Sequence, residues 1–134
     1  MSFIDQGPTD WGALFQWYTG AKPIIEDLDA CRVIVDSMLV GNADTNCRAA
    51  DGLDALTRNA ELWLLTNPCP EKWNGEHMTA VVDAYKGIGA LVMSTLGAPD
   101  PALRVVLKEA VDEANRMLEE VRGMIAQLWS SLEL

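Results

Sequence analysis

Residues 101–132, PALRVVLKEAVDEANRMLEEVRGMIAQLWSSL, decide the fold. Leu103, Leu107, Ala110, Ala114, Met117, Val121, Met124 and Leu128 recur at alternating steps of four and three, which puts them on one side of an uninterrupted helix. A second row, Val111, Leu118, Ile125 and Leu132, repeats every seven residues beside the first. The apolar face is therefore wider than the seam of a two-stranded coiled coil, and the helix needs at least two neighbours. Its other side carries Arg104, Lys108, Asp112, Arg116, Glu119, Glu120 and Arg122, with opposite charges four apart at 108/112, 112/116 and 116/120. Such pairs are worth a few tenths of a kcal/mol each on a solvated face. Asp100 reads as the cap and Pro101 as the first helical position. About thirty residues at ~1.5 Å apiece make a rod of roughly 45 Å, against a radius of gyration of about 14 Å for a compact domain of this length. Either the fold is elongated, or the helix overhangs and something covers it. The stretch from Ile125 through Trp129 to Leu132 is where that covering is expected to matter.

Upstream, Gly7-Pro8 marks residues 1–8 as a lead-in arm, after which Thr9 or Asp10 can cap a short helix to about Thr19, punctuated by Gly20 and Pro23. Trp11, Leu14, Phe15, Trp17 and Tyr18 give that helix more aromatic surface than one buried stripe holds, so part of it is expected to seal the end of a bundle or to touch another chain. Pro23 suits a first helical position, and Ile24, Leu28, Cys31, Val35 and Met38 step by four and three up to Val40. Gly41-Asn42-Ala43-Asp44 offers a glycine stop and then a cap at Asp44 or Thr45. A third helix follows to about Thr66 through Ala49, Leu53, Leu56, Ala60 and Trp63. One long helix over 23–66 is the alternative, since a single interior Gly costs only about 1 kcal/mol.

Asn67-Pro68-Cys69-Pro70 is the firmest break, because two prolines one residue apart do not fit inside a helix. A fourth helix is expected from Glu76 to Gly97 along Met78, Val82, Tyr85, Gly89, Val92 and Leu96, with Glu71 to Gly75 as a separate turn. The small residues around Gly87 and Gly89 allow close packing of a neighbour or leave a gap for a small ligand. No sustained alternating pattern suggests a strand. The expectation is an all-α fold: an elongated, largely antiparallel bundle of four main helices plus a short N-terminal aromatic helix, in one domain over 1–134, with a proline-rich loop at 67–75 between two helical halves.

The chain of 134 residues carries twenty acidic and ten basic residues, a net charge of −10. Such a chain is repelled by phosphate backbones, so direct nucleic-acid binding is not expected, and basic proteins or apolar patches are the favoured partners. No apolar run approaches a membrane span, and Met1-Ser2-Phe3-Ile4-Asp5 has no signal-peptide character, so a cytoplasmic location is the default. Cys31, Cys47 and Cys69 are odd in number and lack ligand spacing, which fits reduced thiols, and His77 alone cannot supply a recognisable metal or nucleophile motif.

Carboxylates are the one group with chemically useful spacing. Glu26 and Asp29, and again Asp51 and Asp54, stand three apart on successive helices, where four oxygens on antiparallel helices could hold Mg²⁺ against a substrate's phosphates. Over residues 26–54 this resembles the paired ExxE and ExxD of the all-α nucleotide pyrophosphohydrolases of the MazG type, which implies a Mg²⁺-dependent enzyme. The second position of the first pair and the first of the second hold Asp instead of Glu. Trp73-Asn74-Gly75 resembles the hairpin tripeptide of the WXG100 family of small helical secretion substrates, without that family's tail signal. The leading expectation is a non-enzymatic helical binding protein without a cofactor, working as a homo-oligomer or with a protein partner. Its interface candidates are Trp11, Phe15, Trp17, Trp73, Ile125, Trp129 and Leu132.

Overall fold

The computed structural model describes residues 10–95 and 101–132, the last two by their backbone. Five helices follow one another: α1 (Trp11–Gly20), α2 (Lys22–Met38), α3 (Ala43–Thr66), α4 (Lys72–Ser94) and α5 (Pro101–Leu132). They form an antiparallel bundle of four main helices with a short aromatic one at its end, and no strand occurs among the described residues. Helices adjacent in sequence pack side by side, α2 also meets α5 to close the bundle, and α3 and α5 do not approach each other.

Local chemistry sets the boundaries. Asp10 caps α1 by accepting from Ala13 N at 3.0 Å. Only Ala21 separates α1 from α2, and Pro23, which has no N–H to donate, opens the new helix. The stretch 23–66 is two helices. Asn42, not Asp44 or Thr45, caps the second: its side chain accepts from Thr45 N at 3.0 Å, while Thr45 Oγ1 accepts from Asn42 N at 2.9 Å. That reciprocal box overrides the alternative of one long helix. Gly41 fits closely here: a Cβ would lie 2.2 Å from Asn46 Oδ1 and 2.8 Å from Thr45 Oγ1, so those side chains would have to shift to admit one. The proline-rich connection is shorter than expected, 67–71, since α4 already begins at Lys72. The expected arm at 1–8, the cap at Asp100 and the end of α4 at Leu96 and Gly97 lie outside the described residues.

The core joins all five helices. Ile24, Leu28, Cys31, Val35 and Met38 of α2 are all buried, as are Met78, Val82, Tyr85, Gly89 and Val92 of α4. In α5 the two rows divide the work: Leu107, Ala114, Val121 and Leu128 of the first and Val111 and Leu118 of the second are buried, with Ala110, Met117, Met124 and Ile125 half-buried along the flanks.

Polar links fix the register. On α2, Asp29 and Arg32 pair with Arg122 and Glu119 of α5, and Asp36 accepts from Asn115 Nδ2 at 3.0 Å. Tyr85 of α4 donates to Asn115 Oδ1 at 2.8 Å, so one asparagine ties three helices. In this antiparallel register the end of α2 at Met38 stands level with α5 near Asp112 and Glu113. The first dozen residues of α5, about 18 Å of helix, therefore run beyond α2.

Candidate functional site

Aromatic side chains concentrate at the end of the bundle where α1, the 67–71 connection, the start of α4 and the end of α5 meet. Phe15 closes edge-on over Trp129, ring centroids 4.4 Å apart. Trp17 lies in the core against Tyr18 at 5.0 Å and Trp63 at 5.5 Å. Its Nε1 donates to Asn67 O at 2.8 Å, which satisfies the one polar group a buried indole carries. Tyr18 accepts from Asn74 Nδ2 at 2.8 Å, and burial pushes its phenol above the ordinary value. These contacts hold α1 on α3, α4 and α5 together.

The far end of α5, where covering was in question, is thus covered in part by the chain itself. Leu128 is buried, Ile125 is half-buried, and Phe15 takes one face of Trp129. Trp17, expected as a contact residue, is instead a core residue: it faces inward from the one-residue joint at Ala21. The side chain of Leu132 lies outside the described residues. Three tryptophans at this end still face solvent, Trp11 at 56% exposure, Trp73 at 59% and Trp129 at 41%. Trp11 and Phe15 are four apart on one face of α1, which brings Trp11 into line with the Phe15–Trp129 contact. Leu62 and Leu65 add exposed apolar surface on the last turns of α3.

Trp73-Asn74-Gly75 sits in the first turn of α4 and not in a turn between helices. Gly75 answers a packing demand, since a Cβ there would lie 2.9 Å from Cys69 Cβ. An open cleft of about 390 Å³ lies alongside, between Trp17 and Leu64 on one side and Lys72, Glu76 and Asp83 on the other. The Lys72 ammonium is 3.7 Å from Glu76.

Two of the four carboxylates with metal-like spacing are engaged by separate arginines. Asp29 pairs with Arg122, and Asp54 meets Arg58 at 3.1 Å on its own helix. Glu26 and Asp51 are exposed. Among the described residues no three His, Cys, Asp or Glu side chains come together as a metal ion would need. Gly89 serves close packing: a Cβ would meet Leu53 Cδ2 at 3.4 Å. The residual groove beside it holds about 160 Å³ and is lined mainly by Ala50, Leu53, Ala90 and Met93.

All three cysteines are free. Burial is the main cause that pushes the Cys31 thiol up to about 12, and it likewise raises that of Cys69; neither is a primed nucleophile. Among the described residues no helix is long and apolar enough to cross a membrane. What sequence reasoning missed here is polar: Asn67, Asn74 and Asn115, which position Trp17, Tyr18 and Tyr85, carry no periodic signal. Comparison of the chain with family models, with curated proteins and with solved structures finds no match in any of the three.

Proposed function

We propose that this chain is a non-enzymatic, acidic helical protein that works by association through the aromatic end of its bundle, in the first place with a second copy of itself. The observation that carries this reading is the exposure of Trp11, Trp73 and Trp129 at one end of a bundle whose other described aromatic rings are packed. Large aromatic side chains gain about 25 cal/mol for each Å² removed from water, and tryptophan dominates the energetics of contact surfaces. The N–H of each exposed indole also gains a partner in a contact that a monomer leaves to water.

The charge gives the association a signature. Two copies at −10 each repel, so added salt, by screening, strengthens a contact made by apolar rings. A basic protein partner held by charge behaves in the opposite way. The test is sedimentation equilibrium over a range of protein and salt concentrations, on the wild type and on the W11S/W73S/W129S variant. The expected result is a concentration-dependent dimer that tightens with salt and is lost in the variant. A species that stays monomeric at every concentration and salt contradicts self-association, and affinity for a basic protein that weakens with salt replaces it with the charge-held partner.

A further inference from the structure

His77 is the single histidine of the chain. Its side chain is 17% exposed, and Glu120 Oε2 on α5 stands 3.4 Å from its Nε2. That nitrogen is shielded from solvent and makes no hydrogen bond. Trp73, one turn earlier on α4, covers the ring, with centroids 5.4 Å apart and planes inclined by 30°. A shielded polar nitrogen without a partner is uncommon in a folded chain and asks for a reason.

We propose that His77 and Glu120 form a proton-operated latch between α4 and α5. A proton taken from solvent makes both ring nitrogens donors and gives the ring a charge. The 3.4 Å approach then closes into a charge-assisted hydrogen bond, and the imidazolium lies within cation–π range of the indole above it. When the proton leaves, the charge goes with it: the neutral ring keeps a single N–H, so the charge assistance and the cation–π attraction are lost and the link between α4 and α5 weakens.

From α5, Glu120 faces the His77 ring through one oxygen while the other is held by Arg116, which also binds Glu113. That trio carries one net negative charge, which the imidazolium neutralises. On α4 itself Lys72 and Glu76 pair with each other at 3.7 Å. From α1, the Tyr18 phenol is occupied by Asn74 and stays neutral, its ionisation pushed up by burial. The latch concerns the isolated chain and does not depend on the association proposed above, although Trp73 belongs to both.

The experiment follows three readouts on the full chain from about pH 8 down to about pH 5, the window in which imidazoles change charge. The lone histidine gives one imidazole resonance, which reports the charge state directly. Amide exchange at His77 and Met78, corrected for its intrinsic pH dependence, reports how firmly α4 is held, and emission of the wild type minus that of W73F reports Trp73. Exchange is expected to slow about threefold as the imidazolium forms, the scale of a half-exposed ion pair, while Trp73 emission falls. In E120Q the slowing is lost, and in H77Q neither change occurs. Wild-type exchange that ignores the imidazole titration, or slowing that persists in E120Q, overturns the latch. The wild-type comparison stands even if a variant folds poorly.

Discussion

At its C-terminal end α5 runs beside α2 and then α1, so that Leu128 is buried and Phe15 closes over Trp129. At its N-terminal end it runs, among the described helices, beside α4 alone, and Val105 and Val106 stand 60% and 50% exposed. The first apolar row runs through both ends and Leu107 on it is still buried, whereas the second row begins at Val111 with Arg104 one heptad earlier, and Val105 and Val106 lie off both rows. The length of the neighbours differs as well. Seventeen residues of α2 are far shorter than the thirty-two of α5, and α1, joined through Ala21, makes up the difference at one end only. Among the described residues, Val40 and Met93, exposed near the other end, have no counterpart of α1 to cover them. An amphipathic pattern thus states which face wants burial, and the length and register of the partner decide how much of it is buried.

The largest effect that separates the two ends is expected from Leu128→Ala, which removes a buried side chain at the covered end and costs about 2–4 kcal/mol in urea unfolding. A cost under about 1 kcal/mol there would erase the contrast. Next in size is alkaline destabilisation. Burial raises the ionisation of Cys31 to about 12, and raises those of Tyr18, Tyr85 and Cys69 as well. All four groups sit at the aromatic end or mid-bundle. The unfolded chain gives up these protons first, so above about pH 9 the native state binds more protons, and stability falls as pH rises through the folded values. Tryptophan emission should therefore report loss of the aromatic end on alkaline titration, and a flat stability profile from pH 8 to pH 11 would contradict the burial of these groups.

Phe15→Ala is smaller again, roughly 1–2 kcal/mol for the edge-on contact and its buried area, with Trp129 emission shifting to the red as its cover goes. Tyr85→Phe should cost about 1 kcal/mol, because the bond to Asn115 is lost while Asn115 keeps Asp36. At the bottom of the scale, Val105→Ser and Val106→Ser are expected to change stability by no more than about 0.5 kcal/mol. A larger loss would mean that the overhanging turns are covered after all.

Much of the architecture was legible because period and punctuation agree. The α2 stripe from Ile24 to Met38 reads directly as the buried face, and Pro68 and Pro70 place the central break between α3 and α4. Where the reading slipped, the missing term was tertiary. Of the α3 stripe, Leu53 and Ala60 are buried, while Ala49, Leu56 and Trp63 are only half-buried and Ala50 and Thr57 beside them are fully so, because α3 turns its face towards α2 and α4 at once. Thr57 tolerates burial by donating to Leu53 O at 2.9 Å, a bond invisible to a hydrophobic pattern. In sequence Asp44 and Thr45 are as good cap residues as Asn42, and only the reciprocal bonds between Asn42 and Thr45 decide among them. At the aromatic end composition pointed to the right helix but not to the right ring: Trp11 and Trp17 look alike in sequence, and the position of Asn67 O settles which one goes inside.

Sedimentation equilibrium of the wild-type chain in low and high salt tests most directly the claim that the aromatic end is a contact surface. The account predicts a dimer that tightens as salt rises and that disappears when Trp11, Trp73 and Trp129 are replaced by serine. A chain that remains monomeric across the whole range, or a dimer indifferent to those three replacements, would contradict it.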